Sequence, residues 1–484
     1  MTSTGSPLRA HEVSYSQSAS QRVNFSRLLG QIIFLGALLL IVLSAIPYGS
    51  VEFWWTSFFE LGVFALVILW ALQALLASSY RRERWVWLFL PAAALVAFSL
   101  LQAIPFGPGF SAGLAESIKY SISADPFESR SFAFRLAAVA LLGVLLLRFT
   151  ETRQQLRVLI LTVLGVAAAS AVFGILRQSL QLNETGFVLP ALSRGIGYAQ
   201  IISRNQFAFT MEIALGLALG LVFRRGGRFE SSLIYLALAL PVAAALILAN
   251  SRGGIFTMMC QLLFLAVLVA PPAIGRSPRQ TDQGGARGRS LPLRIATSML
   301  LIGALLLVAT MSVIWVGGER VVTNLSTVTE ELKPEEDQAR WNTRRIDIWR
   351  ATWQMIKDHP VAGVGFGGYW TAIPKYHDAS GAYTPQQAHN DYLEILASGG
   401  VIGCAIVVWF GILFFQRTRK VLSQAGSFRR AACLGALVGL FGVAVHSLFD
   451  FGLHLTINSA LCAALIAIAT VDTQDDVEKN AAVQ

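Results

Sequence analysis

Charge is scarce in this chain. Lys, Arg, Asp and Glu make up 14% of its 484 residues, whereas a soluble globular protein carries about 25%. That deficit argues against an ordinary cytosolic enzyme. It does not mean disorder, because hydrophobic residues reach 55% and mean hydropathy is +0.58, too apolar for a chain that stays unfolded. Cysteine is rarer still. Four cysteines exclude a disulfide-rich secreted scaffold. Cys260, Cys404, Cys433 and Cys462 all fall in apolar runs and read as small core residues. Gly-Xaa-Ser-Xaa-Gly, Walker A and His-Glu-Xaa-Xaa-His patterns are absent, which leaves the common hydrolase, ATPase and zinc-protease readings without support.

What the chain does have is long hydrophobic runs. A bilayer-spanning helix needs about 20 mostly apolar residues. About twelve such runs are present, centred roughly on 28–47, 57–78, 85–104, 131–149, 156–176, 204–223, 231–249, 253–272, 295–316, 391–415, 430–447 and 453–471. The expected fold is therefore all-α: a polytopic integral membrane protein of about 12 transmembrane helices.

Basic residues set its orientation. With the N-terminus in the cytoplasm, the inner loops carry Arg81, Arg82 and Arg84, then Arg148, Arg153 and Arg157, then Arg224, Arg225 and Arg228. Later inner loops carry Arg276, Arg279, Arg287, Arg289 and Arg294, then Arg417, Arg419, Lys420, Arg429 and Arg430. The segments 48–56 and 446–455, on the other side, contain no Lys or Arg. An even number of spans puts both termini inside. The net charge of +10 is thus a topology signal and does not point to nucleic acid.

This reading divides the chain into five parts. Residues 1–26 form a Ser-rich cytoplasmic tail expected to be disordered; the apolar run that follows is too long for a signal peptide and lacks a cleavage site. Spans one to nine occupy 27–316, with a flexible cytoplasmic loop at 273–294. A long extracytoplasmic loop between spans nine and ten occupies 317–390. Spans ten to twelve occupy 391–471, and a cytoplasmic tail occupies 472–484.

Long loops without a role are uncommon. In this one Asn342 is placed to cap a helix running to about Asp358. Ile348, Trp349, Thr352, Trp353 and Ile356 would form its apolar face, lying on the membrane surface or against the spans. His359-Pro360 ends it. Gly363-Val364-Gly365-Phe366-Gly367-Gly368 then reads as a flexible turn, with the wrong spacing for a dinucleotide fingerprint.

Ionisable groups in or at the ends of spans are functional hypotheses by default. His389 stands at the outer mouth of span ten, in Ala388-His389-Asn390-Asp391-Tyr392-Leu393-Glu394. Its imidazole suits a general base acting on a hydroxyl; the blander alternative is a helix-start histidine bonded to backbone. Asn390 and Asp391 are candidate caps. Either Asp391 or Glu394 is a candidate to orient the imidazole, and spacing does not choose between them.

Arg204 begins span six and Arg252 stands at the outer junction of spans seven and eight. Both run against the positive-inside trend. Two always-charged guanidinium groups at one face suit an anionic headgroup, especially a diphosphate; the alternative is snorkelling or pairing with a carboxylate such as Glu212. Arg344 and Arg345 on the loop helix are further anion candidates or part of a solvated face. His446, Asp450 and His454 gather at the turn between spans eleven and twelve, but without ligand spacing for a metal. His359 and His377 read as ordinary loop histidines.

Arg204-Asn205-Gln206-Phe207-Ala208, Asn250-Ser251-Arg252-Gly253-Gly254, the stretch Arg345 to Gly367, and His389-Asn390-Asp391-Tyr392-Leu393-Glu394 followed by Gly399-Gly400-Val401-Ile402-Gly403 resemble, in this order, segments of the O-antigen ligase/polymerase superfamily. One departure is Gln206, where relatives often carry His. The resemblance covers roughly residues 200–415. It implies an inverting, metal-independent glycosyltransferase of the bacterial cytoplasmic membrane, with no cofactor. The implied donor is a polyprenyl-diphosphate-linked glycan, used on the outer side of the membrane. The implied acceptor is another glycan or lipid A-core, and the implied partners are the bilayer and other polysaccharide-assembly proteins. Carried over by position, His389 would be the base, and Arg204 and Arg252 would bind the donor diphosphate. Arg344, Arg345, Asn390, Asp391 and Glu394 would be supporting residues. The rival readings are a secondary transporter, for example of bicarbonate, and a non-catalytic component of polysaccharide export.

Overall fold

The structure is a computed structural model that describes residues 7–46, 48–50, 52–76, 84–106, 121–181, 197–223, 229–269, 345–377 and 384–472. The expected ninth run, the loop at 273–294, Asn342 and Arg344 lie outside the described residues. The described residues form helices and turns. In chain order these are α1 (Pro7–Ser44), α2 (Phe53–Leu76), α3 (Leu90–Gln102), α4 (Pro126–Phe149), α5 (Arg153–Leu180), α6 (Arg204–Val222) and α7 (Phe229–Leu248). Then follow α8 (Arg252–Val269), α9 (Arg345–Asp358), α10 (Tyr369–Ala372), α11 (Asp391–Gln424), α12 (Ser427–His446) and α13 (Thr456–Thr470). Seven of them are long and apolar enough to cross a membrane, and four shorter apolar helices lie at 87–102, 232–248, 252–268 and 456–470. Every expected run except the ninth falls on a described helix.

Local chemistry accounts for several boundaries. Asp125 caps α4, its side chain accepting from the Phe127 and Glu128 amides with Pro126 in the first turn. Thr152 and Gln155 form a reciprocal capping box at α5. Helix α1 begins at Pro7, inside the segment expected to be a disordered tail. No Gly or Pro interrupts residues 8–29, and a helix nucleated in the apolar run extends cheaply into such a flank.

Helices α6 and α12 form the centre of the bundle. They run antiparallel through two small-residue motifs, Gly216 and Gly220 against Gly435 and Gly439. A Cβ on Gly216 would stand 2.3 Å from the Gly439 nitrogen, and one on Gly220 would stand 2.2 Å from the Gly435 Cα. Only glycine permits this backbone approach, the usual device where helices meet in lipid. We expect Gly216→Val to separate the pair and cost about 3 kcal/mol or more, read as a lowered thermal midpoint of the purified protein. The antiparallel pairing also places the start of α6 beside the end of α12, and there the candidate site forms.

The opposite end of the bundle is rich in arginine. Arg429 donates to the Ile468, Ala469 and Val471 carbonyls at the end of α13, a cationic cap on unpaired helix carbonyls. Arg417 donates to the Thr470 carbonyl and pairs with Asp472.

Two expectations about the long loop change. On α9 the buried stripe is Ile348, Ala351, Thr352, Met355 and Ile356, while Trp353 is exposed. The face is rotated because small Ala351 and Met355 fill the contact with α11, and the Thr352 hydroxyl bonds the Tyr369 hydroxyl at 2.7 Å. The glycine segment is a docked loop, not a flexible turn. It seats in a break of α11, where Gly400 has φ 59°. Amides of Val364 and Gly365 bond the freed Ala397 and Ser398 carbonyls at 2.9 and 3.0 Å, and the Pro360 carbonyl accepts from the Val401 amide at 2.9 Å. Gln102 from α3 bonds the Ala362 carbonyl and the Phe366 amide. Phe366 stacks on Phe132 at 4.8 Å between ring centroids. Broken-helix backbone at membrane depth persists only when satisfied in this way. A Cβ on Gly400 would lie 2.3 Å from the Val361 carbonyl oxygen.

Candidate active site

Five segments meet at the end of the bundle remote from Arg429: the start of α6, the α7–α8 turn, the start of α9, the turn before α11 and the turn after α12. Their common point is Asp450. Its carboxylate accepts from the Asn205 side-chain amide at 2.6 Å and from the Phe451 backbone amide at 2.9 Å. Its Oδ1 lies 3.5 Å from His389 Nδ1, a close contact longer than an ordinary hydrogen bond. Its Oδ2 lies 3.7 Å from an Arg345 guanidinium nitrogen. Burial opposes ionisation of this group, but His389, the Phe451 amide and Arg345 outweigh it and hold the carboxyl below the usual aspartate range. The partnered anion is therefore fully present above the ordinary carboxylate range and is lost only as pH falls through the lowered value.

His389 occupies the left-handed backbone region at φ 49°, uncommon for a residue with a Cβ. The preceding residue is fixed on both sides: the Trp349 indole donates to the Ala388 carbonyl at 3.0 Å, and Glu394 accepts from the Ala388 amide at 2.9 Å. Phe451 meets the imidazole edge-on at 4.8 Å. The His389 side chain keeps 35% exposure. A proton on Nδ1, facing Asp450 across 3.5 Å, would leave the lone pair on Nε2 available to take a proton.

The two carboxylates favoured as partners for His389 have other duties. Asp391 accepts from the Ser447 hydroxyl at 2.6 Å, and Glu394 pairs with His454 at 3.0 Å. Asn390 caps α11, accepting from the Tyr392 and Leu393 amides, and donates to the Leu448 carbonyl. His446, Asp450 and His454 do not share a ligand site. His446 instead bonds buried Glu212 at 2.8 Å inside the bundle.

Arg204 is the first residue of α6 and is exposed; Arg252 is the first residue of α8 and is half-buried. The Ser251 hydroxyl donates to the Asn205 side-chain oxygen at 2.9 Å and accepts from the Gly254 amide at 3.1 Å. Neighbours of the two arginines are thus bonded directly, and both arginines are the first residues of their helices, where backbone dipoles favour an anion. The series Ser251–Asn205–Asp450–His389 brings four sequence segments together. Asn205 and Asp450 were not singled out as members of a common site by sequence reasoning. A lone acid in the apolar stretch Leu448-Phe449-Asp450-Phe451 was the available signal.

Residues 236–408 match the family model described as O-antigen ligase. The matched stretch contains Arg252, Arg345, His389, Asn390, Asp391 and Glu394, while Arg204, Asn205 and Asp450 lie outside it. No curated protein matches the chain.

Proposed function

Residues 236–408 carry the O-antigen ligase match, and from that premise we propose how this membrane protein acts. It transfers a polyprenyl-diphosphate-linked glycan on the outer side of the bacterial inner membrane, for a surface polysaccharide or exopolysaccharide. The observation that carries this reading is the hydrogen-bonded chain Ser251–Asn205–Asp450, whose carboxylate lies 3.5 Å from the His389 imidazole; it sets a candidate base beside the segments bearing both arginines.

In this reading His389 Nε2 removes the proton of an acceptor hydroxyl. The oxygen attacks the anomeric carbon from the face opposite the leaving group, inverting the configuration. Negative charge grows on the departing diphosphate, and Arg204 and Arg252 stabilise it. The diphosphate ester already carries the driving energy, so no nucleotide is needed. Asp450 fixes the tautomer and direction of the imidazole. We expect Asp450→Asn to lower turnover about a hundredfold, within the range of a general-base contribution, in a transfer assay with purified protein.

The cellular test is mass spectrometry of lipid-linked and surface glycans with and without the protein. Carrier-linked single repeats with loss of long chains support a polymerase. Long chains retained on the carrier, and absent from lipid A-core, support a ligase. Identical glycan pools in a host with a working donor pathway would sink the reading.

A further inference from the structure

The reading of His389 as base leaves unexplained how a residue with a side chain is kept in the left-handed region. Glu394 uses both carboxylate oxygens around this point. Oε2 accepts from the Ala388 amide at 2.9 Å, and Oε1 meets His454 Nε2 at 3.0 Å. Glu394 is not needed as a helix cap, because Asn390 already takes the Tyr392 and Leu393 amides. It reaches past the cap to an amide outside the helix, next to the strained residue. A second contact runs the same way: the Phe451 ring lies edge-on to His389 at 4.8 Å and edge-on to His454 at 5.8 Å. Glu394 is buried, and a buried carboxylate persists only while paired and hydrogen-bonded. His454 supplies that pairing. Asp391 also faces His454, as does Arg135 from α4.

We propose that Glu394 and His454 act as one positioning unit that clamps the backbone before His389 and so aims its imidazole. This rests on His389 being the base. Neither residue needs to touch substrate. Loss of either should slow the chemical step without weakening binding, since the ring becomes misdirected while the arginines and loop surfaces stay in place.

The test is steady-state kinetics on the purified full-length protein, with lipid-linked glycan donor and its acceptor. Glu394→Ala, Glu394→Gln, His454→Leu, His454→Gln and His389→Ala are compared at equal amounts of monodisperse protein. Glu394→Ala and His454→Leu are expected to lower kcat by about tenfold or more, with KM within about twofold for both substrates. Both glutamine variants are expected to recover most of the loss, because glutamine can accept from the Ala388 amide in one case and donate to Glu394 in the other. The glutamine variants also keep the test decisive if an alanine or leucine variant fails to fold. Wild-type kcat in the alanine and leucine variants, with His389→Ala inactive, would overturn the clamp alone. A raised KM at unchanged kcat would overturn it too. Full turnover in His389→Ala would remove the base reading on which the clamp depends.

Discussion

His389→Ala should lower glycan transfer by about a thousandfold while the protein still folds and inserts. General-base removal costs about 10²–10⁴ in rate. The structure places this residue toward the severe part of that range for two reasons. Its ring is the titratable group on the exposed side of the Asp450 network, and its backbone is held in a conformation that a side chain disfavours. Folding should survive, because the Asn390 cap and the Ala388 contacts do not use the imidazole. Turnover by purified His389→Ala, set against its elution profile in detergent, checks both halves of the expectation.

The second large effect is expected at Arg252. Arg252→Lys retains the charge but loses the planar fork that grips two phosphate oxygens at once. Transfer should fall by about one to two orders of magnitude, close to the loss of one transition-state donor. The surrounding packing makes this site intolerant of adjustment. A Cβ on Gly254 would lie 2.6 Å from Ala208 Cβ, and one on Gly253 would lie 3.0 Å from His446 Nε2. The two glycines therefore press the first turn of α8 against α6 and α12, and Ser251 locks it to Asn205. A lysine at position 252 starts from the same rigid turn and cannot reproduce the two-point grip from there. Near-wild-type turnover in this variant would argue against a diphosphate clamp.

Much of this architecture was legible in the sequence because it is local. Hydropathy runs mark spans wherever the helix alone must satisfy its backbone, and His359-Pro360 marks the end of α9. What stayed hidden is non-local. The Asn205–Asp450 bond joins positions 245 residues apart, and no spacing rule reaches that far. The pairing of Gly216 and Gly220 with Gly435 and Gly439 depends on which helices become neighbours. The glycine segment after α9 reads as flexible because glycine permits many conformations; the break at Gly400 selects one by offering it free carbonyls. The misplaced face of α9 has a similar cause. Periodicity put Trp353 inside, yet an indole at a rim is satisfied with one side exposed, and Thr352 found a hydroxyl partner in Tyr369.

That same break bears on the transport alternative. Transporters use interrupted helices whose unwound carbonyls coordinate the moving ion. Here the Ala397 and Ser398 carbonyls accept from the docked loop, so these groups are already occupied. The hydrogen-bonded chain from Ser251 to Asp450, with His389 3.5 Å beyond it, fits the proposed group transfer better.

The most direct measurement is the product balance of the purified protein with a defined polyprenyl-diphosphate glycan and its acceptor. Free polyprenyl diphosphate and new glycosidic bonds are counted together by mass spectrometry. The account predicts one diphosphate released for each bond formed by the wild type, and neither product from His389→Ala. Bond formation undiminished in His389→Ala, or no diphosphate released by an active wild type, would contradict it.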